Sequence, residues 1–277
     1  MGVAAGRVAI NQITTKRWPL DAAIAGCARH GAGGIAIWRD RLAELGVPAA
    51  RRMLAESGLA VSGLNRAGPL LHSGPAERRA AMEDARRAVD EAAALGAACL
   101  MVLPGGLPAG SRDLPGARRL LEELLEELLE ELLEAARPAG VKLGLEPLHP
   151  QYAAERSVLN TLGQANALIE RHGPGLGLVV DAYHCWWEPA LAQEIARAGD
   201  GRLLGFHVCD WLVPTRDPLL DRGMMGDGVI DLAALRAMVE AAGYAGLVEV
   251  EIFSSRWWAE DPDDVVRLCL ERCAACL

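Results

Sequence analysis

The sequence lacks three features that would place it in other protein classes: an excess of positive charge, a long uninterrupted apolar run and a secretion signal. Its 28 Lys and Arg stand against 37 Asp and Glu, for a net charge of −9, whereas nucleic-acid-binding proteins concentrate basic residues to displace counterions from phosphates. No window reaches the roughly 18 apolar residues of a membrane span, and no apolar segment follows a basic N-terminus. We therefore expect a cytoplasmic protein that binds neither nucleic acid nor membranes.

The cysteines do not form the pattern of a disulfide framework. Seven is an odd number in a long chain without a secretion signal, so we expect reduced thiols. Cys269, Cys273 and Cys276 follow an i, i+4, i+7 spacing on the apolar face of the last predicted helix, and no nearby histidine completes a metal ligand set. We interpret them as small buried side chains.

The chain also lacks a Pro-, Gly- or Ser-rich linker that would divide it into domains. Short apolar runs alternate with helical patterns from end to end, which is typical of parallel strands joined by crossover helices. The predicted strands are residues 7–12, 33–38, 60–65, 98–104, 141–147, 176–181, 203–210 and 246–253. Eight consecutive strand-helix units predict an α/β fold, a single (β/α)₈ TIM barrel over residues 1–277.

Residues 120 to 140 carry a strict repeat of leucine pairs and glutamate pairs. Seven glutamates lie between positions 122 and 134, so this segment holds most of the net negative charge. Leucine and glutamate are strong helix formers, and we predict an exposed crossover helix on the barrel wall. A coiled coil is less favoured, because its seam requires a 3.5-residue period. Such regular repetition is also typical of redesigned sequences, so a redesigned barrel scaffold with little or no activity is an alternative hypothesis.

The candidate site residues are polar residues that close apolar strands, because the C-terminal strand ends of such a barrel face the active-site mouth. In the second half of the chain they are Glu146, Asp181, His184, His207, Asp210, Glu249 and Glu251. Carboxylates within apolar runs are costly to bury unless a positive charge neutralises them. Three carboxylates and one imidazole suit one divalent ion, Mn²⁺, Mg²⁺ or Co²⁺, with Zn²⁺ as an alternative.

Two details of this set need separate interpretation. Glu249, Glu251 and Phe253 share one face of the last strand, since strand side chains alternate, so periodicity leaves the choice between the two glutamates open. Asp210 is a candidate hydrogen-bond acceptor behind a ligand histidine, a position that carboxylates often fill.

Several motifs, taken in chain order, together resemble one protein family. LGLEPLHP, VVDAYHCWW, GFHVCDW, DRGMMGDGVIDL and VEVEIFS are similar to the sugar phosphate isomerase/epimerase family of xylose isomerase-like TIM barrels, which includes ketose 3-epimerases and hydroxypyruvate isomerases. The resemblance is strong over residues 141 to 256 and extends to the first half through INQITTKRW, GIAIWRD and GGLPAGSRDL. It implies that the metal ligands are Glu146, Asp181, His207 and Glu251. The resemblance therefore makes Glu251, and not Glu249, the fourth expected metal ligand.

The same resemblance implies a divalent-metal-dependent isomerase or epimerase of a small sugar, sugar phosphate or hydroxyketone. Glu146 and Glu251 would form the acid/base pair: one removes the proton next to the carbonyl to give an enediolate, and the other returns a proton. His184 and Arg222 would contact substrate oxygens. A dehydratase of the inosose type would use the same metal and base, and it is the alternative enzyme class. An endonuclease acting on abasic DNA would need more histidines and a basic groove.

Substrate specificity is the least determined property. The segment NRAGPLLHSGP after strand three departs from the CRGGFF-like run of close relatives, so we expect an altered pocket wall there. Whether the substrate carries a phosphate stays open, because several arginines near predicted strand ends could contact either substrate or solvent: Arg39, Arg66, Arg216, Arg222 and Arg256. Six of the seven tryptophans lie beside predicted strand ends, where they would form an apolar rim: Trp38, Trp186, Trp187, Trp211, Trp257 and Trp258. This rim and the family resemblance are compatible with a homodimer or homotetramer.

Overall fold

The computed structural model describes residues 2–72, 74–107, 110–199 and 201–277, apart from the side chains of residues 121, 122 and 124–126. Eight parallel strands close into a barrel in the order β1-β10-β7-β6-β5-β4-β3-β2. These are β1 Val8–Asn11, β2 Gly34–Trp38, β3 Ala60–Ala67, β4 Leu100–Val102, β5 Leu143–Leu145, β6 Leu176–Asp181, β7 Leu203–Val208 and β10 Val248–Val250. All eight predicted strands are confirmed, and with them the (β/α)₈ TIM barrel.

The barrel is surrounded by the helices that connect its strands. They are α1 Leu20–Arg29, α2 Arg39–Leu45, α3 Val47–Ser57, α4 Pro75–Leu95, α5 Leu114–Ala136, α6 Leu162–His172, α7 Ala182–Cys185, α8 Leu191–Ala198, α9 Leu232–Ala241 and α10 Pro262–Cys276. Gly58 and Gly96 end α3 and α4 with φ of 71° and 64°, a left-handed conformation that glycine adopts without strain. The chain can therefore reverse tightly before the next strand.

The Leu/Glu repeat lies in α5, as predicted. The helix begins at Leu114, before the repeat, because the side chain of Asp113 accepts a hydrogen bond from the Gly116 N–H at 2.8 Å. Leu129, Leu132 and Leu133 are fully buried. Glu130 and Glu134 are exposed. The helix thus covers the barrel wall with one face, while the side chains of Glu122 and Glu126 lie outside the described part.

One element was not predicted. Asp210–Trp211 (β8) and Arg222–Gly223 (β9) pair as a short antiparallel ribbon beyond the end of β7. Two-residue strands have no detectable period, so only the tertiary fold reveals them. The ribbon fixes the backbone at Arg222, which places this side chain over the barrel mouth.

The cysteines of α10 and the composition of the helices were also the subject of predictions. Cys269 and Cys273 are fully buried on the inner face of α10, where they pack in the core as small side chains, whereas Cys276 is only partly buried. None of the described helices combines the length and the apolar composition that crossing a membrane would require.

Candidate active site

Four side chains from successive strand ends converge at the C-terminal mouth of the barrel. Glu146 follows β5, Asp181 ends β6, His207 lies on β7 and Glu251 follows β10. One ligand-type atom from each of the four lies within 4.8 Å of the others. We call these four residues the carboxylate ring. The structure thus brings together the four residues that the family resemblance selected, and their role as metal ligands stays a prediction.

The carboxylate ring is buried and strongly polar. His207 Nδ1 lies 3.0 Å from Glu146 Oε1, and its Nε2 lies 3.6 Å from Glu249 Oε1. Burial alone would lower the pKa of His207, but the charges of Glu249, Glu146 and Glu251 outweigh it and raise the pKa well above its usual value. The imidazole is therefore held by carboxylates on both of its nitrogens.

Two carboxyls of the ring have raised pKa values. Burial raises the pKa of Glu251 to about 8, although Arg222 opposes the shift. Burial also raises the pKa of Asp181 to about 6, again against the charge of Arg222 and with the charge of Glu146 adding to it. Such shifts arise when carboxylates crowd together in a dry site. A cation bound among them would favour the ionised carboxylates and so lower both pKa values.

Arg222 is the positive group built into this site. Its side chain is 1% exposed, and Nη1 donates to Asp181 Oδ2 at 3.2 Å and to Glu251 Oε2 at 3.0 Å. The guanidinium lies between two rings, 4.4 Å from the Tyr183 centroid and 4.9 Å from that of Phe253. Arg222 also lines the pocket above the ring. Contact with substrate oxygens, which the family resemblance implies for Arg222, stays a prediction.

His184 comes one helical turn after Asp181 and is also buried. Its Nε2 lies 3.2 Å from Arg222 Nη2, which can only donate, so this nitrogen accepts. Burial, followed by the charge of Arg222, lowers the pKa of His184 well below its usual value. A neutral imidazole that accepts at Nε2 carries its proton on Nδ1, and Nδ1 has no partner within the described residues. His184 therefore has one N–H donor that no described residue accepts, and its side chain is part of the pocket lining.

Glu249 lies one layer deeper than Glu251, and the four converging ligand-type atoms include one of Glu251 and none of Glu249. Asn11 Nδ2 donates to both glutamates, to Glu249 Oε1 at 2.7 Å and to Glu251 Oε1 at 3.0 Å, so both point into the barrel. Ser62 Oγ donates to the other oxygen of Glu249 at 2.7 Å. Glu249 thus lies beneath the ring and faces Nε2 of His207. Sequence reasoning missed Asn11 and Ser62, although Asn11 is a polar residue that closes the apolar strand β1.

The expectation for Asp210 was wrong. Its carboxylate accepts backbone N–H groups from Trp211, Gly226, Gly228 and Ile230 at 2.8 to 3.1 Å. With both oxygens used in this way, Asp210 holds the turn after β9 rather than a ligand histidine. The carboxylate next to Nε2 of His207 is that of Glu249 instead.

Aromatic residues at the mouth pack mainly against each other. His149 stacks on Trp211 with centroids 4.9 Å apart, and Trp211 lies 4.6 Å from Tyr183. The hydroxyls of Tyr152 and Tyr183 both donate to the Pro218 carbonyl. These contacts hold the segment between β8 and β9 in place, so packing explains His149 and Tyr152 without a direct role at the ring.

A pocket opens above the carboxylate ring. Trp38 and Phe253 form an edge-to-face pair on one side, with centroids 5.9 Å apart. The remaining wall comes from the ends of β3 and β4 and from the loop after β5; these residues are Asn65, Arg66, Met101, Val102, Leu103, Leu148 and Arg156. The pocket therefore joins an apolar side, a carboxylate floor and three arginines, Arg66, Arg156 and Arg222. A small polar molecule with a hydrocarbon face would suit it.

Known proteins share this architecture over almost the whole chain. The family model for xylose isomerase-like TIM barrels matches residues 24–273. A crystal structure of a Sinorhizobium meliloti protein is 48% identical, with a TM-score of 0.93 and 98% of both chains covered. The structure of the IolI protein with a bound zinc atom has a TM-score of 0.82 at 21% identity and covers 96% of both chains, a likeness of fold alone.

Curated relatives match over part of their length. An inosose isomerase of Halalkalibacterium halodurans is 30% identical over 140 residues, 48% of this chain and 46% of the relative. An L-ribulose 3-epimerase of Mesorhizobium japonicum is 33% identical over 121 residues, 43% of this chain and 37% of the relative. The aligned part is thus less than half of each relative.

Proposed function

The chain belongs to the xylose isomerase-like TIM barrel family, and from this premise we propose that it is a divalent-metal-dependent isomerase or epimerase of a small sugar or hydroxyketone. The observation that carries the proposal is the carboxylate ring, three carboxylates and an imidazole brought together from four strand ends. Relatives named inosose isomerase and L-ribulose 3-epimerase support a polyhydroxylated ketone as the substrate.

The donor set of the carboxylate ring fits one divalent ion. Ligand atoms on opposite sides of such an ion lie about 4 to 5 Å apart, which agrees with the 4.8 Å spread of the ring atoms. Burial and, to a smaller extent, neighbouring carboxylates raise the pKa values of Asp181 and Glu251, and a bound cation would oppose both effects. When bound, Mn²⁺, Mg²⁺, Co²⁺ or Zn²⁺ would polarise the substrate carbonyl and stabilise negative charge on its oxygens.

Glu146 and Glu251 are the proposed acid/base pair. Their strands, β5 and β10, are separated in the barrel by β6 and β7, so the two carboxyls reach the pocket from different sides. One takes the proton from the carbon next to the carbonyl to form an enediolate, and the other delivers a proton to the enediolate. Delivery to the opposite face of the same carbon gives an epimer, whereas delivery to the former carbonyl carbon gives an isomer.

Two other residues would orient the substrate. The free Nδ1–H of His184 can donate to a hydroxyl or carbonyl oxygen in the pocket. Arg222 fixes His184 through its Nη2, and it keeps Glu251 in place through the 3.0 Å bond from Nη1. Both residues therefore contribute orientation, which lowers the barrier by holding the reacting atoms in one arrangement.

Deuterium exchange tests the proposed reaction across a range of ketone substrates at once. We expect the Mn²⁺-loaded protein in D₂O to incorporate deuterium next to the carbonyl of at least one member of a ketose and inosose panel, detected by NMR. The protein stripped with a chelator is the control. A dehydratase would instead show loss of water from the substrate, and a barrel scaffold would exchange no deuterium with any member.

We expect Glu249→Gln to weaken Mn²⁺ binding about 10- to 100-fold, the usual effect of losing a group that orients a ligand histidine. The Glu249 carboxylate faces Nε2 of His207 and is held by Asn11 and Ser62. Gln keeps the volume and removes the charge. Isothermal titration calorimetry measures the affinity, with Ser62→Ala as the control that removes only one bond to Glu249. An unchanged affinity in Glu249→Gln would contradict this role.

A further inference from the structure

Two arginines in the pocket have no carboxylate bound to them among the described residues. Arg66 follows Asn65 near the end of β3, Arg156 lies in the loop after β5, and both line the pocket above the carboxylate ring. Arg66 Nε and Arg156 Nη1 are buried without a hydrogen-bond partner in the described part of the chain. Their guanidinium groups lie over aromatic rings, that of Arg66 5.9 Å from Trp38 and that of Arg156 5.3 Å from Tyr152.

Other arginines near strand ends have different surroundings. Arg39 forms ion pairs with Asp84 and Glu91, at 2.7 and 2.5 Å. Arg216 and Arg256 are exposed to solvent. Of the arginines that sequence reasoning left as candidates for an anionic group, Arg66 therefore remains, because Arg222 is bonded to the carboxylate ring. Arg156 joins it from a loop where no pattern singled it out.

The two guanidinium groups oppose each other electrostatically. The pKa of Arg66 is lowered by burial and then by the positive charge of Arg156, while the charges of Glu146, Glu251 and Asp40 oppose the shift. Two like charges held together in a partly buried pocket are unfavourable unless an anion comes between or beside them. Asn65 adds a neutral donor: its side chain is 7% exposed, and its Nδ2 has no partner among the described residues.

The net charge of the pocket indicates the charge of the group that Arg66 and Arg156 would bind. The carboxylates at the mouth are Glu146, Asp181, Glu249 and Glu251, and the guanidinium groups are Arg66, Arg156 and Arg222. With His207 counted as neutral, the form that binds a metal, these groups carry one negative charge. A divalent ion in the carboxylate ring would change the balance to one positive charge, so the loaded pocket would attract a monoanion more strongly than a neutral sugar.

We propose that Arg66, Arg156 and Asn65 form an oxyanion subsite, which binds a carboxylate or phosphate group carried by the hydroxyketone substrate. The inference rests on the proposed function, since it assigns the substrate class of the same pocket. A planar guanidinium can bind either oxyanion through two parallel N–H bonds, and such charge-assisted bonds are stronger than neutral ones. The carboxylate ring then acts on the carbonyl end, while the subsite holds the charged end.

Three ligands that differ only at C6 test the subsite: D-fructose, D-fructuronate and D-fructose 6-phosphate. Calorimetry on the Mn²⁺-loaded protein is expected to show at least about tenfold tighter binding of one charged ligand than of D-fructose, as charge-assisted bonds imply. Arg66→Met and Arg156→Met are each expected to remove most of that preference. Arg216→Met, which deletes an exposed arginine, is the matched control and should keep it. The tighter of the two charged ligands identifies the group, carboxylate or phosphate.

Either of two results would overturn the proposal. The first is that neither charged ligand binds the wild-type protein more tightly than D-fructose does. The second is that the preference for a charged ligand survives in the Arg66→Met/Arg156→Met double variant. Thermal unfolding of each variant verifies that it is folded. Because calorimetry requires no turnover, the reaction is judged separately by deuterium exchange. A charge preference without exchange of any ketose would reject the proposed reaction and support the subsite.

Discussion

Glu251→Gln is expected to slow deuterium exchange into the substrate by about 100- to 10,000-fold, the usual contribution of a positioned acid or base. Glutamine cannot carry a proton to or from carbon, so the loss should persist at saturating Mn²⁺. The variant should still fold. Glutamine keeps the size and shape of the Glu251 side chain, and its carbonyl oxygen can still accept one of the two hydrogen bonds that Asn11 and Arg222 donate to Glu251.

Glu249→Gln is the matched control, because it makes the same chemical change two residues away on the same face. Glu249 lies beneath the carboxylate ring and contacts His207 rather than the pocket. Its exchange rate at saturating Mn²⁺ should therefore fall by less than about tenfold, as expected when metal affinity is the main loss. NMR detection of deuterium in both variants provides the comparison. A wild-type exchange rate in Glu251→Gln would reject its role as acid or base.

The barrel itself could be predicted because strand and helix patterns depend on local sequence. Apolar runs of four to eight residues, separated by amphipathic segments, predicted all eight strands, and eight units imply a closed barrel. The ends were less accurate: the strand predicted at 141–147 is Leu143–Leu145. Glu146 thus lies just beyond the strand, where its side chain is free to enter the mouth.

The layers of the site could not be predicted from alternation. Glu249 and Glu251 share a face by period two, but depth depends on the register between strands, which pairs Glu249 with His207. Only that register makes Glu249 the carboxylate beneath the histidine. Asn11 and Ser62 come from β1 and β3, distant in sequence from β10, so their bonds to Glu249 have no local signal.

The partners of charged side chains could not be predicted from the sequence either. Asp210 has the position expected of a residue behind a ligand histidine, yet its carboxylate is used by four backbone N–H groups of a turn. Arg39 directly follows β2 and Arg66 lies near the end of β3, and only the tertiary structure separates the paired arginine from the one whose Nε has no partner among the described residues. The identity and spacing of residues in the sequence therefore locate the candidates. Their hydrogen-bond and ion-pair partners in the fold determine what each candidate can do.

Arg222→Met is expected to lower the free energy of unfolding of the metal-free protein by about 3 to 5 kcal/mol at pH 7.5, the usual cost of breaking a buried ion pair. Arg222 is 1% exposed and bonds Asp181, Glu251 and His184. Methionine fills most of its volume but leaves the carboxyls without their positive partner. Urea unfolding in the presence of a chelator measures the loss.

Mn²⁺ should restore a large part of that stability, because a cation bound to the carboxylate ring neutralises the same carboxylates. Binding to the folded state alone adds about 2.7 kcal/mol when the free ion is 100 times its dissociation constant. Arg222→Lys is the control: it keeps the charge, but one ammonium cannot reproduce the bonds to Asp181, Glu251 and His184. Its unfolding free energy should lie between those of the wild type and Arg222→Met. An Arg222→Met protein as stable without metal as the wild type would mean that the ring carboxylates do not need this charge.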